Sequence, residues 1–394
     1  MAEKKTHKPK ARANGEGTLF KRKDGLWVGR IPNGYQDSGK IKYIQFSGKS
    51  QSVVREKIEK AKTEIRTMTY REPSKITVME FLDNWLNGTM KNAVQKTTWL
   101  NYQRLIKQNI LPALGNIQLQ KLQPLNVQKL YNDLTERYSP NTVQLIHRIL
   151  SLALSQAVLE KFIHHNFLKE KTVRLPKITK KEMQTFNLEE IRIFLKAAKA
   201  SRYYAAFYLE IYTGLRRGEL LGLRWQDIDL KNGTVNVVQQ ITMVGNKIET
   251  KELKTASSKR MIAIPEEVVS VLKEHKAKQE AELRHRGLND LEIAEHFKTG
   301  LVFTTSKGDP VQPIAFGKSF KIVLKSGKLK DIRLHDLRHS FALLSLQAGT
   351  DIKTLQNDLG HSSIGTTLDI YGHVNEEMKR SAADKRSQLL KVHL

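Results

Sequence analysis

The chain contains no cysteine, which excludes disulfides and thiolate metal sites and is compatible with a reducing compartment. It shows no apolar run of membrane-spanning length, and its opening residues, MAEKKTHKPK, lack the apolar segment of a secretory signal. Both absences argue against membrane insertion and export. Acidic residues are outnumbered: 40 Asp and Glu stand against 67 Lys and Arg, leaving a formal net charge of +27. Such a surface attracts nucleic acid and makes the binding salt dependent. Charge alone suits a ribosomal, chromatin or membrane-surface protein equally well, and identifies no enzyme. There is no tight carboxylate cluster and no set of metal-spaced histidines, so neither a catalytic metal nor a cofactor is expected.

What is present gathers in the second half of the chain, inside five short peptides. They are TGLRRGEL (Thr213 to Leu220), LKTASSKR (Leu253 to Arg260), HDLRHS (His335 to Ser340), LGHSS (Leu359 to Ser363) and LDIYGHV (Leu368 to Val374). Two arginines can grip one phosphate, because each planar guanidinium offers paired donors and keeps its charge. Phosphoryl transfer needs mostly that, since cations aimed at the equatorial oxygens stabilise the charge that spreads over them. Arg216, Arg338 and His361 suit this role. With no cysteine to serve, Tyr371 is the candidate nucleophile. A free phenol ionises near pH 10, so its phenolate at neutral pH costs roughly 4 kcal/mol unless cations or a base assist. His335 can accept that proton and return it in the reverse step. Lys254 would protonate the departing sugar oxygen, although Lys251 and Lys259 share its apparent hairpin and any of the three could be an ordinary solvated charge.

His335 and Arg338 lie three apart, so a helix over HDLRHSFALLSLQ places both on one face. Leu337, Phe341, Leu344 and Leu346 supply its apolar positions and Gly349 its stop. Gly360 suggests a helix end that presents His361 from a backbone corner. Taken singly, each residue has an ordinary reading: a packed tyrosine, a capping arginine, satisfied structural histidines. Chance does not readily supply all five peptides in order.

The set resembles the tyrosine recombinase family, the phage and conjugative-transposon integrases. That resemblance covers the catalytic half by motif and the middle of the chain by architecture. It implies a catalytic set of Arg216, Lys254, His335, Arg338, His361 and Tyr371. In the family the lysine sits on a β-hairpin between the two arginine motifs, often followed by Thr or Gly, which favours Lys254 with Thr255 behind it. Glu219 resembles the family's buried carboxylate, with an exposed helix acid as the alternative. The implied activity is site-specific DNA recombination through a 3′-phosphotyrosine and a Holliday junction, with chemistry like that of type IB topoisomerases and no need for ATP. Implied partners are double-stranded DNA at core and arm sites, further copies of the chain in a DNA-dependent homotetramer, and accessory excision or DNA-bending proteins. The implied location is the cytoplasm of a bacterial host, at the nucleoid when active. A chromosome or plasmid resolvase of the same family, a topoisomerase and a noncatalytic DNA-binding regulator are the alternatives.

The expected fold is multidomain. Residues 1–70, with 17 Lys and Arg against 7 Asp and Glu, are the most lopsided part. After a basic tail, GTLFKRKDGLWVGRI reads as two strands turning at Asp24-Gly25, KIKYIQFSG as a third, and QSVVREKIEKAKTEIRTM as a helix with Val54, Ile58, Ala61 and Ile65 on one face. This small α+β domain resembles the arm-type DNA-binding domain of several integrases, with Lys21, Arg22, Arg30, Lys40 and Lys42 as candidate contacts. A double-stranded RNA module is the rival assignment.

Residues 73–176 read as an all-α bundle, resembling the family's core-binding domain. It opens with a Thr77-Glu80 capping box and a stripe of Val78, Phe81, Leu82, Trp85 and Leu86. TTWLNYQRLIKQNI is expected to end before LPALG, a short helix to cover Asn126 to Leu134, and a long one to follow Ser139-Pro140.

Residues 177–394 form a mixed α/β, mainly helical catalytic domain with a C-terminal tail. An Asn187-Glu190 cap opens it. GTVNVVQQITMV, NKIETKEL and RMIAIP suggest one antiparallel sheet with its hairpin at Gly245-Asn246. The charged helical stretch after Pro265 is expected to be solvated in its middle. Leu389, Leu390 and Val392 form an apolar tip that either docks on a neighbouring subunit, as such tails do in the family, or folds back on its own.

Overall fold

The computed structural model describes residues 17–35, 38–67, 70, 72–179, 184–253, 258–360, 383, 384 and 387. Two compact units divide the chain, Met1–Ile178 and Thr179–Leu394. The tip at Leu389, Leu390 and Val392 lies outside the described residues.

The first unit begins with an antiparallel sheet of β1 (Thr18–Lys21), β2 (Trp27–Tyr35) and β3 (Ile41–Gly48), in that order. Helix α1 (Gln51–Arg66) starts where the Ser50 hydroxyl accepts from Val53 N, and it buries Val54, Ile58 and Ala61 against Ile31 and Ile44 of the sheet. The three strands and the helix are those read from the sequence. Alternation along the strands sorts the side chains: Leu19, Phe46, Ile31 and Ile44 face the helix, while Thr18, Arg30 and Gln45 share the other face.

Helices make up the rest of this unit. The Thr77-Glu80 capping box is formed at the start of α2 (Val78–Asn84), and the expected stripe is buried from Val78 through Leu86 as the chain passes into a π-helical turn, Trp85–Met90. Short α3 (Lys91–Ala93) and α4 (Lys96–Leu105) follow. The helix does not stop before LPALG. A second π-helical turn, Ile106–Ile110, carries it into α5 (Leu111–Leu114), and this wider turn accommodates Pro112, which has no N–H to donate. Helix α6 (Pro124–Arg137) is longer than the stretch expected, and α7 (Pro140–Leu159) is the bundle's centre. By length and mean hydropathy α7 could cross a membrane, contrary to the expectation that no such segment exists. Gln144, His147 and Arg148 interrupt the run of letters, but the apolar face from Val143 to Ala157 is continuous and packs into the bundle core.

The second unit opens with α8 (Leu188–Ala198), whose Asn187-Glu190 capping box is formed, followed by α9 (Tyr204–Thr213) and α10 (Arg217–Leu221). Five strands follow: β4 (Ile228–Asp229), β5 (Thr234–Val237), β6 (Gln239–Val244), β7 (Lys247–Glu252) and β8 (Arg260–Ala263). They make two sheets rather than the one expected, β4-β5-β8 and the hairpin β6-β7. GTVNVVQQITMV changes partners at Val238: Val237 pairs with Arg260, whereas Gln239 pairs with Glu252 and donates its amide to Gly222 O at 2.7 Å. That side-chain bond ties β6 to the end of α10. The hairpin turns at Gly245-Asn246, as read.

Helices α11 (Glu266–His285), α12 (Asp290–Thr299), α13 (Pro313–Ser326), α14 (Leu334–Gln347) and α15 (Ile352–Leu359) complete the described part. The middle of the charged stretch is largely exposed, from Arg284 to Gly287 and at Asn289 and Asp290, where it breaks between α11 and α12. Within α11, however, Gln279 is buried, accepting from Trp225 Nε1 at 2.7 Å and donating to Thr304 Oγ1 at 3.1 Å, while Lys273 and Lys278 are exposed. The core of this unit holds Phe194, Phe207, Phe316 and Phe320, with Phe207 stacked on Phe316 at 4.8 Å between ring centres. Helices α8, α9 and α13 are thereby fixed to one another.

Candidate active site

Helix α9 ends at Gly214, in the left-handed region at φ +57°, where a Cβ would fall 2.4 Å from the Phe341 ring. Only glycine allows α14 to come this close. The chain then extends through buried Leu215 to Arg216, which stands at the N-cap of α10 rather than inside a helix. Glu219 closes that cap by accepting Arg216 N at 3.0 Å and the Arg216 guanidinium at 2.8 Å. The Arg216 side chain remains 38% exposed, whereas that of Glu219 is 1% exposed.

Arg338 and His335 share a face of α14, as the spacing predicts. The helix is capped by Arg333, whose backbone N–H and guanidinium both donate to Asp336. Arg338 is buried, donating to Gly214 O at 2.6 Å and Leu359 O at 2.5 Å. Burial, and then the charge of Arg216, push its guanidinium down to about 9, so it still carries a proton at neutral pH. His335 lies edge-to-face with His339, ring centres 4.9 Å apart, and keeps an exposed side. Desolvation, His339 and Arg338 together hold it down to about 4. It is therefore neutral at pH 7 and able to accept a proton.

A third arginine, given no role from the sequence, completes the cluster. Arg260, at the start of β8, donates to Glu219 Oε2 at 2.8 Å, to Asp358 O at 2.6 Å and to Ser258 O at 3.1 Å. Burial raises the Glu219 carboxyl, but its bonds to Arg260 and Arg216 outweigh that and hold it below its usual value, as an anion. The end of α15 meets all three cations: Asp358 O accepts from Arg260, Leu359 O from Arg338, and Gly360 O from Arg216 at 2.9 Å. Carbonyls at a helix C-terminus carry partial negative charge, which suits them to these donors. The only sequence clue to Arg260 was its place at the end of the LKTASSKR peptide.

Of the expected site residues, the structure thus brings Arg216, His335 and Arg338 into one cluster with the supporting Glu219. Lys254, His361 and Tyr371 lie outside the described residues. The rival lysines are engaged elsewhere, Lys251 with Glu249 at 3.5 Å and Lys259 with Glu252 at 3.7 Å. The N-terminal basic residues do not line one surface. Arg30 lies on the sheet face away from α1, bonded to Gln45 at 2.9 Å and placed over the Phe20 ring. Lys21 and Lys42 alternate to the other side, Lys42 pairing with Glu72. Arg22 pairs with Asp24 in the turn, and Lys40 is exposed before β3. Among the described residues no three His, Asp or Glu side chains are grouped to hold a metal ion.

Arg216 and Arg260 on one buried carboxylate, with Arg338 nearby and a neutral imidazole one turn from Arg338, supply the kind of charge and donors that a phosphoryl group calls for. Residues 178–378 match the family described as the Phage integrase family, and residues 77–135 match the Phage integrase N-terminal SAM-like domain. The chain belongs to the phage integrase family and is a tyrosine recombinase, an enzyme that cleaves and rejoins DNA strands. A tyrosine recombinase XerC-like protein of Caldanaerobacter subterraneus subsp. tengcongensis is 29% identical over 374 residues, covering 90% of this chain and 94% of that protein. In fold, the chain is similar to the Tn1549 transposon integrase in complex with a circular intermediate DNA, with TM-score 0.65, 21% identity, and coverage of 79% and 99% of the two chains. It is also similar to the lambda integrase tetramer bound to a Holliday junction, with TM-score 0.57, 19% identity, and coverage of 91% and 96%.

Proposed function

We propose that this recombinase integrates and excises a mobile element by the following division of labour. Arg216 and Arg338 hold the scissile phosphate. The Tyr371 hydroxyl attacks phosphorus, forming a 3′-phosphotyrosine as the bond to the 5′ oxygen breaks. His335 takes the phenol proton, directly or through the phosphate, and Lys254 gives a proton to the departing 5′ oxygen. His361 adds a donor to the phosphate. Attack by a 5′ hydroxyl of the partner strand reverses these transfers, so bond energy is conserved and no ATP is consumed. The observation that carries this reading is the Arg216-Glu219-Arg260 cluster beside Arg338 and a neutral His335. Arg338 is 1% exposed, with both terminal nitrogens donating to carbonyls, Gly214 O and Leu359 O, so in this reading a phosphate competes with those acceptors.

In this reading four protomers act on two DNA sites through a Holliday junction. The N-terminal sheet binds arm sites, the helical bundle binds one face of the core site, and accessory excision or DNA-bending proteins set direction. The work takes place in the bacterial cytoplasm, at the nucleoid. Mass spectrometry of the trapped adduct tests the central step. The nucleotide is expected on Tyr371, and Tyr371→Phe is expected to bind DNA without forming an adduct. A nucleotide on another side chain, or none, overturns the reading.

A further inference from the structure

Arg260 belongs to no part of the reaction described above, yet all three of its guanidinium nitrogens are engaged and its side chain is only 6% exposed. It is too enclosed to be a surface charge. Its bonds reach three elements at once: the end of the segment before β8 through Ser258 O, the start of α10 through Glu219, and the last turn of α15 through Asp358 O. Gly360 is pressed against the same group, since a Cβ there would fall 2.9 Å from an Arg260 terminal nitrogen. The Arg260 and Arg216 guanidinium groups bind different oxygens of one carboxylate, the Arg216 backbone N–H sharing the oxygen that Arg260 binds, and both guanidinium groups bind carbonyls of one helix end, Asp358 and Gly360.

We propose that Arg260 is the positioning residue for Arg216: it anchors the shared Glu219 carboxylate and the α15 corner, so that the exposed side of the Arg216 guanidinium is aimed at the substrate phosphate. Without it, Glu219 has one cation instead of two. The carboxylate then swings toward Arg216 and draws that guanidinium into a closed pair, leaving fewer of its donors for an oxyanion. Arg260 touches no substrate in this scheme and acts only through Glu219 and the helix end. The inference rests on the proposed role of Arg216 as a phosphate ligand.

The test uses the full chain and a synthetic nicked duplex bearing the strand end identified from the trapped adduct. The scissile group is either a phosphate or a methylphosphonate, in which methyl replaces one oxygen and removes the negative charge. For Arg260→Met, adduct formation on the phosphate is expected to fall about 10²-fold, the scale of losing one aimed donor. On the neutral methylphosphonate, which does not call on an aimed guanidinium, the loss is expected to shrink below about tenfold, with DNA binding unchanged on both. The ratio of the two rates within one preparation cancels any inactive fraction, so partial misfolding does not obscure the outcome. Equal losses on both substrates, or no loss on the phosphate, overturn the proposal. Arg216→Met is run beside it. If the methylphosphonate narrows that variant's defect and not that of Arg260→Met, the positioning role alone fails; if it narrows neither, the reading of Arg216 fails as well.

Discussion

Replacing Glu219 by glutamine tests how much of the catalytic unit's stability depends on its arginine cluster. The carboxylate receives three N–H groups, from the Arg216 backbone, the Arg216 guanidinium and Arg260. Glutamine keeps the shape but turns one acceptor into a donor facing a donor, and it leaves the cations without their anion. Removing one partner of a buried ion pair costs about 3–5 kcal/mol. The Arg216 side chain is 38% exposed, so water replaces much of its share, whereas Arg260 is 6% exposed and has no such substitute. The loss is therefore set at about 3 kcal/mol, the lower end of that range. For a unit of this size that corresponds to a fall in Tm of roughly 6–12 °C, measured by calorimetry on the full chain at pH 7. Because the carboxyl is held below its usual value of 4.5, its contribution is present above that pH and is lost as the pH falls. The gap between wild type and Glu219→Gln should therefore narrow toward pH 4. The double variant with Arg260→Met should lose about 2 kcal/mol less than the sum of the single variants. A Tm within about 2 °C of wild type, or strict additivity, refutes this account of the cluster.

Three further outcomes are expected. The acid limb of the pH profile for adduct formation at limiting DNA should lie well below pH 6.5, because His335 is held down to about 4 in the free protein; a limb at or above 6.5 contradicts the environment described for it. Gly360→Ala should destabilise the catalytic unit by about 1–2 kcal/mol, since it puts a side chain at φ +61° and against Arg260; chemical denaturation with an unchanged midpoint would argue against that packing. Gln279→Leu should cost about 1–3 kcal/mol by stranding Trp225 Nε1, and should shift the tryptophan emission; an unaltered spectrum and melting curve would mean that the bond is not formed.

How far the sequence could be read follows from the range of each interaction. Local signals were legible: the Thr77-Glu80 and Asn187-Glu190 boxes form as written, the N-terminal strands and helix stand where alternation and periodicity put them, and Gly360 ends a helix in the left-handed region. His335 and Arg338 share a face because three residues make nearly one helical turn. Where the reading failed, side chains or strand partners far along the chain decided the matter. Gln239 bonds to the end of α10 where β6 leaves β5, and Gln279 is buried by Trp225 and Thr304; the passage of the helix through Pro112 is the local exception, made by the second π-helical turn. Lys21 and Lys42 alternate away from Arg30, so a count of basic residues described no single face.

The five peptides by themselves gave the family, through their resemblance to its motifs, and their residue types pointed to a phosphodiester as the group acted on, because paired guanidinium groups suit phosphate oxygens. Tertiary structure alone decided which cations share an anion. Arg216 with Glu219, Arg260 and Asp358 come from three separate places in the chain, and the bonds among them span as many as 98 residues. No periodicity encodes such a meeting. It exists because folding brings a helix start, a strand and a helix end to one point, where a buried carboxylate must be neutralised.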